Sequence, residues 1–201
     1  MVHDFEESLK RSHAYEDAPW WREVYERAFH NLQEMVSVRQ DGWAQRAGID
    51  RRLILADGTV LSVDEKVRER DYPDFCLEYW SDRKRQIPGW VAKDLTCDYI
   101  AYAFVPSRTC YLLPFQLLRR AWREHHRRWV GTYRKVEALN RGYVTVSVAV
   151  PIEVVLEAIS DAMAVRWSAT ADHKESPCGE IPDEELYLGY WERRFEEEDF
   201  S

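Results

Sequence analysis

The stretch "GIDRRLILADGTVLSVDEKVRER", Gly48 to Arg70, sets two runs of branched apolar residues around an Asp57-Gly58 turn signal and reads as a β-hairpin. Two loops compete. A two-residue loop, Asp57-Gly58, pairs Asp50 with Glu65, leaves Asp64 and Lys66 on the opposite side and scatters apolar residues over both faces. A three-residue loop, Ala56-Asp57-Gly58 with glycine in the left-handed position, pairs Asp50 directly with Asp64. Because strand side chains alternate, Lys66 then joins the aspartates, and Ile49, Leu53, Leu55, Leu61, Val63 and Val67 collect on the other face. That segregation selects the three-residue loop. It also sets like charges opposite each other, which is destabilising, so a positive partner is expected: Lys66 or a divalent cation.

A hard cation such as Mg²⁺ takes one or two carboxylates, keeps several waters and accepts substrate phosphate oxygens. It activates a bound water and stabilises charge in an in-line displacement at phosphorus, while a neighbouring lysine orients the attacking water. The constellation fits metal-assisted phosphodiester hydrolysis.

Upstream, "APWWREVYERAFHNLQEMVSV" carries Trp21, Tyr25, Ala28, Leu32 and Met35 at helical spacing after Pro19, which predicts one helix from Trp20 to Val38. Downstream, "DFCLEYWS" predicts a third strand, "QIPGW" a loop, and "DYIAYAFVP" and "TCYLLPF" two more strands. A helix is expected from Gln116 to Val130, and "GYVTVSVAV" is a strand that hands over to a helix at Pro151. The expected class is α/β (α+β), a central mixed sheet flanked by helices, in a single domain over 1–168. A linker over 169–182 and an acidic amphipathic helix over 183–201 follow; Leu186, Tyr187, Tyr190 and Trp191 give that tail an apolar stripe.

The order helix, hairpin with D-x-K, third strand, further strands resembles the PD-(D/E)XK nuclease superfamily, the fold of many restriction endonucleases and resolvases. "I-D" at Ile49-Asp50 stands for the first half of the motif, without its proline, and "D-E-K" at Asp64-Glu65-Lys66 for the second. The likeness covers about 20–163. It implies that Asp50 and Asp64 hold Mg²⁺ or Mn²⁺ and that Lys66 serves the attacking water. Glu65 would add at most its backbone carbonyl to the metal set. Members often add an acid from the first helix, for which Glu34 or Glu26 is the candidate; Glu78 on the third strand is another.

The net charge of −8 argues against a uniformly basic surface, but the acids crowd the ends and the bases the middle. In "QLLRRAWREHHRRWV", Leu118, Trp122, His125 and Trp129 form a core stripe, and Arg119, Arg123 and Arg127 form one that can meet phosphates. Cys76, Cys97, Cys110 and Cys178 lack zinc or disulfide spacing. There is no apolar run of about eighteen residues and no signal-like start, so no membrane association and a cytoplasmic location are expected. The expected function is a metal-dependent endonuclease acting on DNA, with a homodimer as an allowed assembly. The alternative is a non-catalytic nucleic-acid-binding or assembly protein of the same fold, of the kind a phage or mobile element encodes.

Overall fold

The computed structural model describes Tyr15 and residues 17–169, so the linker from Thr170 and the acidic tail lie outside the described residues. The elements run α1 (Trp20–Ala28), β1 (Leu32–Ser37), α2 (Gly42–Ala47), β2 (Arg51–Leu55), β3 (Val60–Arg68), β4 (Asp74–Asp82) and β5 (Ile87–Pro88). They continue through β6 (Tyr99–Phe104), β7 (Thr109–Pro114), α3 (Phe115–Thr132), β8 (Lys135–Asn140), β9 (Tyr143–Pro151), α4 (Ile152–Ala158) and β10 (Met163–Arg166). The class is mixed α/β. Among the described residues no helix is long and apolar enough to cross a membrane.

The strands divide between two sheets rather than forming one. A six-stranded mixed sheet has the order β1-β2-β3-β6-β7-β10, and a four-stranded antiparallel sheet has the order β5-β4-β9-β8. Only the β3–β6 pair is parallel. The strand "DFCLEYWS" therefore forms as expected but pairs with β9, while β6 takes the place beside β3. Alternation marks a strand; it does not say which partner the strand will find.

The predicted helix over Trp20 to Val38 stops at Ala28, and its second half is the edge strand β1, paired antiparallel with β2. A register shift between Leu32 and Glu34 lets Leu32 and Met35, three apart, both pack on the α1-side core. The bulge gives a strand the spacing of a helix face. In the other helices the local signals agree with the outcome. The Asp41 carboxylate caps α2 by accepting from the Trp43 and Ala44 amides, and Gly48 ends it with φ 69°.

Each face of the six-stranded sheet has its own core. On one face Leu53, Val63, Ala101, Ala103, Cys110 and Leu112 pack under Trp20, Trp21, Val24 and Tyr25 of α1. On the other, Ile100, Tyr102, Phe104 and Leu113 meet Phe75 and Leu77 of β4, Val148 and Val150 of β9, and Leu118, Trp122 and Trp129 of α3. Alternate residues of β6 thus serve opposite cores. The expected stripe of α3 is buried, with His125 half-buried against the Trp129 ring at 5.5 Å between centroids.

Candidate functional site

The hairpin takes the three-residue loop. Leu55 N donates to Thr59 O at 2.9 Å, Gly58 N to Leu55 O at 2.9 Å, and Gly58 sits at φ 84°. Arg51 pairs with Val63 and Leu53 with Leu61, and the ladder ends there: the Asp50 amide donates to Val63 O at 2.8 Å, so Asp50 lies beside the end of the ladder rather than in a strand pair with Asp64. Leu53 and Val63 are fully buried beneath α1, as the segregation requires. Ile49 departs from that face: it leaves the capped end of α2 and packs with Leu95 and Cys97 in the other core, because β2 begins only at Arg51.

Asp64 and Lys66 lie on the face of β3 that looks between the sheets. Lys66 Nζ donates to Asp64 Oδ1 at 2.6 Å, and Asp64 is 4% exposed. Burial, and then the Asp50 charge, push the Asp64 carboxyl up to about 6, against the pull of Lys66. Glu78 reaches the same place from β4 in the second sheet. Burial raises its carboxyl, while Lys66, Lys93 and the Trp90 amide hold it down. The Trp90 ring lies 5.7 Å from Lys66 Nζ, and burial followed by the Asp64 charge pushes the Cys97 thiol up. Lys66 thus sits between Asp64 of its own strand and the Trp90 ring of the segment seated on β4.

Asp50 has a second set of partners. Its Oδ2 accepts from the Glu65 amide at 2.7 Å, and its Oδ1 lies 3.3 Å from Arg39. Arg39 also donates to Glu65 Oε2 at 2.7 Å. On the α1 side, the Glu65 carboxylate is fully buried and accepts from Tyr25 Oη and Arg51 Nε, both at 2.7 Å. Its side chain is therefore spent on structural partners facing away from Lys66. Arg51, which the sequence groups with a basic centre, is buried in this pair.

Of the expected additional acids, Glu78 joins the group and Glu34 does not: it is exposed on β1, not on a helix. Glu26 is paired with Arg22 at 3.2 Å on the exposed side of α1. Arg119 is clamped by Asp94, while Arg123 and Arg127 are exposed without a carboxylate partner among the described residues. Sequence reasoning missed Arg39. Once residues 32–37 are assigned to a helix, nothing shows that β1 carries Arg39 to the start of β2, where Val38 N donates to Asp50 O at 2.9 Å.

As donors for a cation, Asp50, Asp64 and the Glu65 carbonyl suit a hard ion that completes its shell with water and phosphate oxygens. No group of three or more His, Cys, Asp or Glu side chains is arranged to hold a metal among the described residues, so a complete protein cage is not what the site offers.

Fold and site together define a mixed α/β protein with a buried acid–lysine group between two sheets. Comparison with known protein families, with curated proteins and with solved structures found no match.

Proposed function

We propose that this chain is a divalent-metal-dependent endonuclease of the PD-(D/E)XK type, with a restriction-endonuclease-like core, acting on DNA. The observation that carries this reading is the Asp64–Lys66 pair at 2.6 Å, set between the two sheets with the Asp50 and Glu78 charges acting on it. A structural ion pair needs one carboxylate for one lysine. Here the Asp50 and Glu78 charges also act on the Asp64–Lys66 pair, and the Asp64 carboxyl is held up by burial, a setting in which a divalent cation could take the place of its proton. Helices on opposite faces of the six-stranded sheet and the acid-bearing hairpin beside a parallel β6 also support the core assignment.

Mg²⁺ or Mn²⁺ bound by Asp50 and Asp64 would supply Lewis-acid chemistry to the phosphodiester and its attacking water. Lys66 holds that water and offsets charge on the phosphoryl oxygens, and the Trp90 ring limits where its ammonium can go. Against burial, Asp64 above all, then Asp50 and Glu78, hold the Lys66 ammonium above its ordinary pKa. Arg39 and the Glu65 amide fix the Asp50 carboxylate.

One observation favours a second reading, a nucleic-acid-binding or assembly protein without cleavage: both oxygens of Asp50 already have protein partners. A metal-titrated assay on duplex, single-stranded and branched DNA and on RNA separates the two. Mg²⁺- or Mn²⁺-dependent cleavage that Asp64→Asn abolishes supports the nuclease. Absence of both cleavage and any metal-dependent shift in melting leaves the second reading.

A further inference from the structure

Beyond Lys66, the segment from Gly89 to Cys97 runs to a second polar feature. Gly89 N donates to Tyr79 O at 2.8 Å and Val91 N to Glu78 O at 3.2 Å, which seats the segment on β4. Any Cβ at Gly89 would overlap the Glu78 carbonyl, so only glycine permits that approach. Trp90 faces Lys66, and two residues on, Ala92 borders an open cavity of about 190 Å³. Arg119, Trp122, Arg123 and His126 of α3 form the rest of its wall.

Two guanidinium groups and an imidazole therefore line this cavity, and among the described residues the only carboxylate paired with one of them is Asp94, on Arg119. Arg119 has a side chain only 13% exposed and donates to Asp94, whose own side chain is 84% exposed. The arginine is held by packing and its partner is not. The buried Arg119 Nε has no acceptor among the described residues, and Arg123 has no carboxylate partner there. Solvated arginines on a helix lose rotamer freedom when they bind; a packed one has already lost it.

We infer that this cavity is a subsite for a backbone phosphate of the same nucleic-acid strand that reaches Lys66, with Arg119 and Arg123 as its donors and Asp94 as an internal carboxylate that the phosphate displaces. The assignment rests on the nucleic-acid reading above but not on cleavage. Two residues of chain span at most about 7 Å, and successive phosphates advance about 3.4 Å per strand along a duplex axis. One short segment thus carries both the ring over Lys66 and the wall of the subsite. A phosphate contact of this kind positions the strand and carries no sequence information directly.

Equilibrium binding of the full chain to a fluorescent duplex and single-stranded oligodeoxynucleotide of about 20 nucleotides, in EDTA over a salt series, tests this independently of hydrolysis. Arg123→Ala is expected to weaken binding about tenfold and to reduce the salt slope by about one. Asp94→Asn is expected to act in the opposite direction, tightening binding several-fold. Arg22→Ala and Glu26→Gln on α1, across the sheet, serve as charge-matched controls expected to stay within twofold, and thermal melting confirms that each variant folds. Wild type that binds neither oligonucleotide overturns the subsite. So do Arg123→Ala and Asp94→Asn both within twofold of wild type, or controls that shift as much as they do. Loss of affinity in Arg123→Ala from a wild type that cleaves nothing retains the subsite and removes the nuclease reading. Cleavage with affinity unmoved does the reverse.

Discussion

Lys66 and Asp64 lie 2.6 Å apart in a buried setting that disfavours the carboxylate's charge, while the acids around Lys66 hold its ammonium charged. If the lysine serves the reacting water, Lys66→Ala should lower metal-dependent cleavage by about 10²- to 10⁴-fold and keep most of the Mg²⁺-dependent rise in melting temperature, whereas Asp64→Asn should lose both. Cleavage kinetics paired with thermal melts would show it. Asp64 also makes stability depend on pH. Its folded pKa is raised from 3.8 to about 6, so the folded chain holds a proton that the unfolded chain has released. The contribution is full below 3.8 and is lost as the pH rises through about 6, on the order of 2–3 kcal/mol. Urea titrations between pH 4 and pH 8 should show this decline in wild type and not in Asp64→Asn. Since a cation competes with that proton, added Mg²⁺ should stabilise wild type more at pH 8 than at pH 5.

Strand β3 presents two different polar faces, and the one beneath α1 is structural. Glu65 ties α1 through Tyr25, β2 through Arg51 and the end of β1 through Arg39, all with its carboxylate buried. Removing it strands Arg51 in a low-dielectric site, so Glu65→Ala should cost about 3–5 kcal/mol by chemical denaturation. Cleavage by whatever fraction remains folded should be less affected than in Lys66→Ala. Where β4 meets the Gly89 segment, Gly89→Ala forces the backbones apart and should cost about 1–3 kcal/mol. It should also reduce cleavage, because Trp90 and Glu78 move together. A Gly89→Ala protein with wild-type melting would argue against that packing. The turn that sets the hairpin is legible in sequence, since glycine at 58 matches its positive φ. The edge strand β1 is not legible, because its bulge imitates helical spacing.

Charge is distributed unevenly along the chain, and its balance is set largely by residues beyond the described part. Residues 180–201 hold nine acidic and two basic residues, so deleting them changes the formal charge from −8 to −1. If that segment screens the arginines of α3, the truncated chain should bind DNA more tightly at low salt, and the gain should fade as salt screens it. Equal affinity with and without 180–201 across the salt series would exclude such screening.

The hairpin register and the core stripe of α3 follow from local chemistry: a glycine that tolerates a left-handed turn, alternation with period two, and apolar spacing along a helix. Those rules act between neighbours in sequence, so they are written in the sequence. Glu78 beside Lys66, Arg39 on Asp50 and the clamped Arg119 depend on which strands pair and how two sheets stack. β4 had two sheets open to it by pattern alone, and burial of Phe75 and Leu77 against β6 settled its place. Hydrophobic burial is non-directional and summed over the whole core, and so partner choice across sheets emerges only when the chain is packed.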